Sequence, residues 1–253
     1  MQPITLKMEV NEMFNCQTTE KLRELKLSGF LAEYERQLEQ PSIIELSFDE
    51  RLAMIVDAEY LNRKNRTVAR LLKSANLRVP ASIENIHYNP RRNLDKSVMQ
   101  GFYSCSWILQ KQDILINGST GAGKTYISCA LGEIACRNGY QTLYYRTTNL
   151  LTQIAVSRAD GTYVKLLATL KKVPVLILDD FGLVPLGSAE GREISDIIES
   201  RCKERSTIIA GQIPVEEWHQ FMVDPTVADA IIDRIVYTSH RIKIEGESMR
   251  KNF

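Results

Sequence analysis

Residues 113–125, DILINGSTGAGKT, decide how the rest of the chain is read. The first five form a short apolar run. The next eight, Gly118, Ser119, Thr120, Gly121, Ala122, Gly123, Lys124 and Thr125, complete a G-x-x-x-x-G-K-T pattern. Such glycines let backbone N–H groups converge on phosphate oxygens, and a helix beginning at the lysine adds the positive end of its dipole. Lys124 is then placed to reach the β and γ phosphates of a nucleoside triphosphate, and the Thr125 hydroxyl to ligate Mg²⁺. A glycine-rich turn with a surface lysine is the plain alternative. It leaves unexplained why Lys-Thr opens a helical run directly after a buried strand.

Downstream, strands and helices alternate. The helical run from the loop ends near Arg137, where Asn138-Gly139 supplies a stop. QTLYYR is the next expected strand, TNLLTQIAVSRA and TYVKLLATLKK are helical, and VPVLIL is a buried strand. REISDIIESRCKE, STIIAG, PTVADAIIDRIVYTS and RIKIEG continue the alternation as helix, strand, helix and strand. This order predicts a mainly parallel, doubly wound α/β sheet. Upstream, residues 17–78 are helical throughout. Thr18 or Thr19 is an expected N-cap, and so is Ser47, with Glu50 three residues on in capping-box position. Pro80 and Pro90 punctuate a connecting stretch expected to wrap onto the α/β part.

The apolar strand before LDDFG ends in two adjacent carboxylates. Strand ends of a parallel sheet face the ligand crevice, which makes Asp179 the magnesium-side carboxylate. Asp180 points elsewhere, either toward the water that attacks the γ-phosphate or into a cap on the turn at Gly182. Gln212, at the end of STIIAG, could hold that water or sense the γ-phosphate; an exposed loop amide is the alternative. In AIIDRIVYTSHR the isoleucines pack while Arg234 leaves the helix on another side. It either reaches the γ-phosphate of a neighbouring subunit or pairs with Asp233 or a nearby glutamate. Arg250, in GESMRK, is a second candidate.

The bulk numbers exclude some classes. Composition is that of an ordinary globular chain, 44% hydrophobic and 25% charged. The longest clean apolar run, residues 173–178, is far short of the ~20 needed to cross a bilayer. The start, MQPITLKMEV, lacks the pattern of a secretion signal. No membrane partner is expected, and the expected compartment is the cytoplasm. The cysteines, Cys16, Cys105, Cys129, Cys136 and Cys202, form no zinc spacing and read as reduced thiols serving as small core residues.

The phosphate loop, DDFG, GREISDIIESRCKERSTIIAGQIPVEEWH and DRIVYTSHRIKIEGESMRK together resemble the IstB-type transposition helpers, AAA+ ATPases related to bacterial helicase loaders. The resemblance covers nearly the whole chain. It implies a P-loop NTPase core of three layers with a parallel sheet (residues 112–253), a connecting segment (79–111) and a small all-helical N-terminal domain for DNA binding and assembly (1–78). It also implies ATP and Mg²⁺ as cofactors, ATP-dependent self-assembly on duplex DNA with ATP at subunit interfaces, and recruitment of the transposase encoded by the same element. Carried over position by position, Lys124 and Thr125 fall in the phosphate loop, Asp179 and Asp180 in the second motif, Gln212 at the sensor and Arg234 in the arginine-finger motif. No separate helical lid is expected, and Arg250 stands in for its sensor.

A DNA partner requires a basic surface hidden inside a net charge of +1. Residues 61–78, LNRKNRTVARLLKSANLR, carry Arg63, Lys64, Arg66, Arg70, Lys73 and Arg78 with no acid, so the remainder of the chain is net acidic. On a helical wheel Arg63, Arg66, Arg70 and Lys73 fall in a stripe roughly 80° wide, with Leu61, Val68, Leu71, Leu72 and Ala75 opposite. This face either tracks phosphates or is simply solvated. Arg158, Lys165, Lys171 and Lys172 form a secondary candidate for lining DNA. A helicase loader acting on a replicative helicase and single strands, or a small-molecule kinase, would share the phosphate loop.

Overall fold

The computed structural model describes residues 15–43, 45–88, 92–237 and 239–246. The chain divides into two compact units, Met1–Ala69 and Arg70–Phe253.

The first unit is helical. Residues 15–24 form α1, which stops where Lys26 takes a left-handed φ of 57°; α2 follows over Ser28–Glu39. Helix α3, Phe48–Ala75, begins in this unit and runs into the second. Its start is the expected capping box: the Glu50 carboxylate accepts from the Ser47 N–H at 2.8 Å, and the Ser47 hydroxyl oxygen accepts from the Glu50 N–H at 3.3 Å. The other expected cap is corrected. Thr18 and Thr19 lie inside α1, and the Thr19 hydroxyl donates back to the Cys16 carbonyl. Glu59 of α3 accepts from the free N–H groups of Gly29 and Phe30 at the start of α2, at 2.8 and 3.0 Å. A carboxylate on another helix thus does the capping that Leu27 cannot.

In the second unit five parallel strands stand in the order β2-β3-β4-β1-β5. They are β1 Asp113–Gly118, β2 Thr142–Arg146, β3 Val175–Phe181, β4 Ser206–Gly211 and β5 Ser239–Ile244. Alternating side chains feed two cores. On one face Ile114, Ile116, Ile177 and Ile208 meet Ile127, Leu131 and Ile134 of α6, Lys124–Arg137. On the other, Leu115, Leu176, Leu178 and Ile209 meet the apolar sides of α7 (Thr147–Ala159), α8 (Tyr163–Lys172), α9 (Ser188–Arg201) and α10 (Pro225–Val236). The connecting stretch wraps onto the α6 face, where short helices α4 (Lys96–Gly101) and α5 (Ser106–Leu109) bury Met99, Trp107 and Ile108. Cys105 and Cys129 are buried there and Cys136 beside Leu71 and Ala75, as small core residues, whereas Cys16 is exposed and Cys202 half-buried. Helix α9 starts at Ser188, ahead of the expected Arg192, because Glu190 bonds the Gly187 N–H and extends the first turn. No helix among the described residues is long and apolar enough to cross a membrane.

Arg201, 1% exposed, ties this core together. It donates to the carbonyls of Leu170, Val173 and Ser206 and to the Thr207 hydroxyl. Nearby, the Asp113 carboxylate accepts the Thr207 N–H at 2.6 Å, yet burial pushes its pKa up to about 7. A carboxyl whose folded pKa lies above its unfolded value stabilises most below the unfolded pKa, and that contribution is lost as pH rises through the folded one. Asp113→Asn should therefore gain on the wild type by up to about 4 kcal/mol between pH 4 and pH 8. Denaturant titrations at the two pH values test this; a constant difference would refute it.

Candidate functional site

The turn from β1 to α6 can close only through glycine. Gly121 and Gly123 sit at φ 81° and 102°, where a side chain is strained, and the Ala122 N–H closes the turn on the Ser119 carbonyl at 3.2 Å. Lys124 folds back across the loop, its Nζ bonded to the carbonyls of Gly118 at 2.8 Å and Ser119 at 2.9 Å. The Thr125 hydroxyl donates to Asp179 Oδ2 at 2.7 Å, across 54 residues of sequence.

Asp179 is completely buried. Its Oδ2 also accepts from the Tyr144 hydroxyl at 2.6 Å, and its carbonyl from Thr147 at 3.0 Å. Burial first, then the bond to Asp179, raises the Tyr144 pKa above the usual phenol range, which keeps it a donor. Asp179 Oδ1, by contrast, has no hydrogen-bond partner among the described residues. A buried, unpaired carboxylate oxygen is costly by itself and suits the hydration shell of a hard divalent cation. Thr125 and Asp179 could hold Mg²⁺.

Neighbouring residues of a regular strand point to opposite faces, so Asp180 should leave the cleft that Asp179 serves. The sheet avoids this with a bulge. Leu178 pairs with Ile209 but Phe181 pairs with Gly211, so two residues oppose one, and Asp180 takes φ 55°. Its carboxylate turns into the cleft, where Arg146 Nε donates to Oδ2 at 2.8 Å and Arg78 Nη1 at 3.1 Å. The side chain does not cap the Gly182 turn; the Asp180 carbonyl accepts the Leu183 N–H instead.

Arg78, Lys124, Thr125, Arg146 and Asp180 line a cleft of about 690 Å³, with Thr120, Arg92 and Gln212 along the same wall. Thr120 donates to Gln212 Oε1 at 2.9 Å, so the amide at the tip of β4 stands beside the phosphate loop although it is exposed. Arg92 binds the carbonyls of Ala122 and His87 at 2.7 and 2.6 Å. Arg78, Arg92, Lys124, Arg146 and Asp180 line the cleft and Asp179 is bonded to Thr125 of its wall, so these six side chains carry a surplus of two positive charges.

Other expected residues lie elsewhere. Arg234 lies outside the cleft wall, its guanidinium donating to the Ala230 carbonyl and to Glu199 of α9, both at 2.9 Å. Arg250 lies outside the described residues. Arg63, Lys64, Arg66, Arg70 and Lys73 are exposed on α3, and Arg63 is paired with Glu59 at 2.7 Å. Leu71 and Ala75 pack against Cys136, but Leu61 is 54% exposed and does not join the apolar side. Two further basic residues have partners within the fold. Arg78 turns to the acids of the cleft, and Arg158 is taken by Glu193 and the Tyr163 ring, 4.0 Å away. Lys165, Lys171 and Lys172 remain exposed.

Sequence reasoning missed Tyr144, Arg146 and Arg92. One signal was available for the first two: TLYYR is the strand beside β3, and Arg146 pairs in register with Asp179. Arg92 carries no comparable signal, since it reaches the loop from an irregular segment.

Residues 20–253 match the IstB-like ATP binding protein family. The chain belongs to that family. Among IstB-like relatives, an insertion-sequence ATP-binding protein of Sinorhizobium fredii is 38% identical over 93% of this chain and 96% of its own. The IS1162 ATP-binding protein of Pseudomonas fluorescens is 39% identical over 80% and 88%. Solved structures share the fold. AMPPCP-bound DnaA from Aquifex aeolicus superposes with a TM-score of 0.57 at 21% identity, over 69% of this chain and 53% of that one. The DnaC helicase loader superposes with 0.54 at 21%, over 65% and 97%. At that identity the likeness concerns the fold.

Proposed function

We propose that this IstB-like protein is a Mg²⁺-dependent ATPase that assembles with copies of itself on duplex DNA and recruits the transposase encoded by the same insertion sequence, hydrolysis controlling disassembly. The observation that carries the reading is the pair of carboxylates at the bulge. Asp179 is buried against Thr125 with one oxygen unpaired, and Asp180 is turned into the same cleft. The surplus of two positive charges matches the net charge of a magnesium–ATP complex. AMPPCP in the DnaA relative supports the same occupant.

In this reading Lys124 leaves the carbonyls of Gly118 and Ser119 for the β and γ phosphates, and the N–H groups of the loop hold the same oxygens. Thr125 and Asp179 hold the cation, which neutralises charge on the phosphates. Asp180 orients the attacking water and accepts its proton once its hold on Arg146 and Arg78 loosens. Gln212 senses the γ-phosphate from the neighbouring strand tip. Arg234 exchanges Glu199 for the nucleotide of an adjoining subunit, and that exchange ties turnover to assembly. Phosphate release measured with and without duplex, at rising protein concentration, tests the whole. Hydrolysis that is independent of protein concentration would remove the assembly part.

The exposed basic residues of α3 are the proposed DNA contact, with little sequence preference because phosphates carry none. Each neutralised phosphate contributes about −0.9 to the slope of log affinity against log salt. Replacing Arg66 and Arg70 by alanine should flatten that slope by up to about two. Unchanged salt dependence would move the contact elsewhere. The helicase-loader alternative predicts tighter binding to single strands than to duplex in the same titration.

A further inference from the structure

Arg78 stands where no DNA contact would put it. Its Nη1 lies 3.1 Å from Asp180 Oδ2 and 3.9 Å from Asp179 Oδ2, so one guanidinium bridges both carboxylates. Arg146 forms an ion pair with Asp180. Two adjacent carboxylates, one fully buried, repel each other strongly in a site of low dielectric. Breaking such a pair from its counter-charge is expensive. Asp179 Oδ2 already accepts from Thr125 and Tyr144, so at 3.9 Å Arg78 supplies it charge rather than another hydrogen bond. The arginine is 37% exposed at its side chain and sits on a flexible stem in the wall of the cleft. It can leave.

We propose that Arg78 is a displaceable internal counter-ion. In the nucleotide-free protein it neutralises Asp179 and Asp180, and a divalent cation at Asp179 can enter only as Arg78 moves away toward the phosphates. The inference rests on the nucleotide reading above for the second partner of Arg78, but its first half concerns the two acids and is measured without nucleotide. A +2 ion beside Asp179 and a guanidinium bridging the same acids repel each other, so the arginine sets a threshold against the bare metal. The protein would bind the cation together with ATP rather than before it.

The test is Mn²⁺ alone, titrated into nucleotide-free protein at constant ionic strength and followed by electron paramagnetic resonance and by thermal melting. Arg78→Ala should bind Mn²⁺ roughly tenfold more tightly than the wild type. Its melting temperature without metal should fall by a few degrees and recover with millimolar Mn²⁺. Arg78→Gln keeps most of the stem and should behave like the alanine variant, which covers the case in which alanine does not fold. Arg78→Lys keeps the charge and should stay near the wild type. Adding Asp179→Asn to Arg78→Gln should erase the gain. Unchanged Mn²⁺ affinity in both neutral variants overturns the proposal, as does tight binding by Arg78→Lys or a gain that survives Asp179→Asn. Equilibrium binding of magnesium–ATP to the wild type separates the two ideas. If ATP is retained and Mn²⁺ affinity does not rise, only the counter-ion role falls. If Mn²⁺ affinity rises while ATP is not retained, the nucleotide reading falls instead.

Discussion

Asp180→Ala is expected to cut ATP hydrolysis by roughly 10²–10⁴, the usual cost of losing a positioned proton acceptor, while ATP binding survives. The carboxylate is held by Arg146 at 2.8 Å and Arg78 at 3.1 Å, and none of the bonds that shape the phosphate loop passes through it. Alanine therefore removes the acceptor and leaves the cradle. Two arginines lose a negative partner, which strengthens their pull on phosphates and should hold nucleotide at least as well. If hydrolysis controls release, the variant also stays on duplex longer than the wild type. Phosphate release, nucleotide affinity and dissociation from labelled duplex are the three readings. Undiminished hydrolysis would assign Asp180 to structure, as the partner of two arginines and nothing more.

Lys124→Ala should fail one step earlier. Its ammonium now binds the carbonyls of Gly118 and Ser119 and is buried at the start of α6. Charged hydrogen bonds of this kind are worth about 1.5–3 kcal/mol each, so ATP affinity should drop by roughly 10–100-fold or more. The melting-temperature gain that magnesium–ATP gives the wild type should shrink with it, and ATP-dependent assembly on DNA should be lost. Calorimetry with a slowly hydrolysed ATP analogue decides the matter. A variant that binds the analogue like the wild type would displace the nucleotide from residues 118–125.

The contrast between these two residues shows what is legible along a chain. Lys124 and Thr125 announce themselves because the whole loop is contiguous: the glycines, the strand before and the helix after lie within a few residues of one another. Asp179 follows from one further rule, that strand ends of a parallel sheet gather at one crevice. For its neighbour the sequence left two readings open, the attacking water or a cap on the Gly182 turn. In a regular strand the Asp180 side chain would point away from Asp179, and what brings it back is a bulge set by pairing with β4. Arg78 shows the same limit. In sequence it is the last of a run of basic residues, counted with them but outside their helical stripe. In the fold the run parts company after α3 ends at Ala75, and Arg78 meets an acid 102 residues away. Arg158, a candidate for lining DNA, likewise pairs with a glutamate on another helix.

What the sequence determined alone was whatever local periodicity and a contiguous motif can encode: the alternation of strands and helices, the phosphate loop, and the helical unit before them. Only the tertiary structure decided which charges meet. The ion pairs of the cleft form between elements that the sheet order and the bulge at Asp180 bring together. A net charge of +1 and a list of basic residues carry no information about that pairing, because electrostatic energy depends on distance in space and on burial, not on separation along the chain.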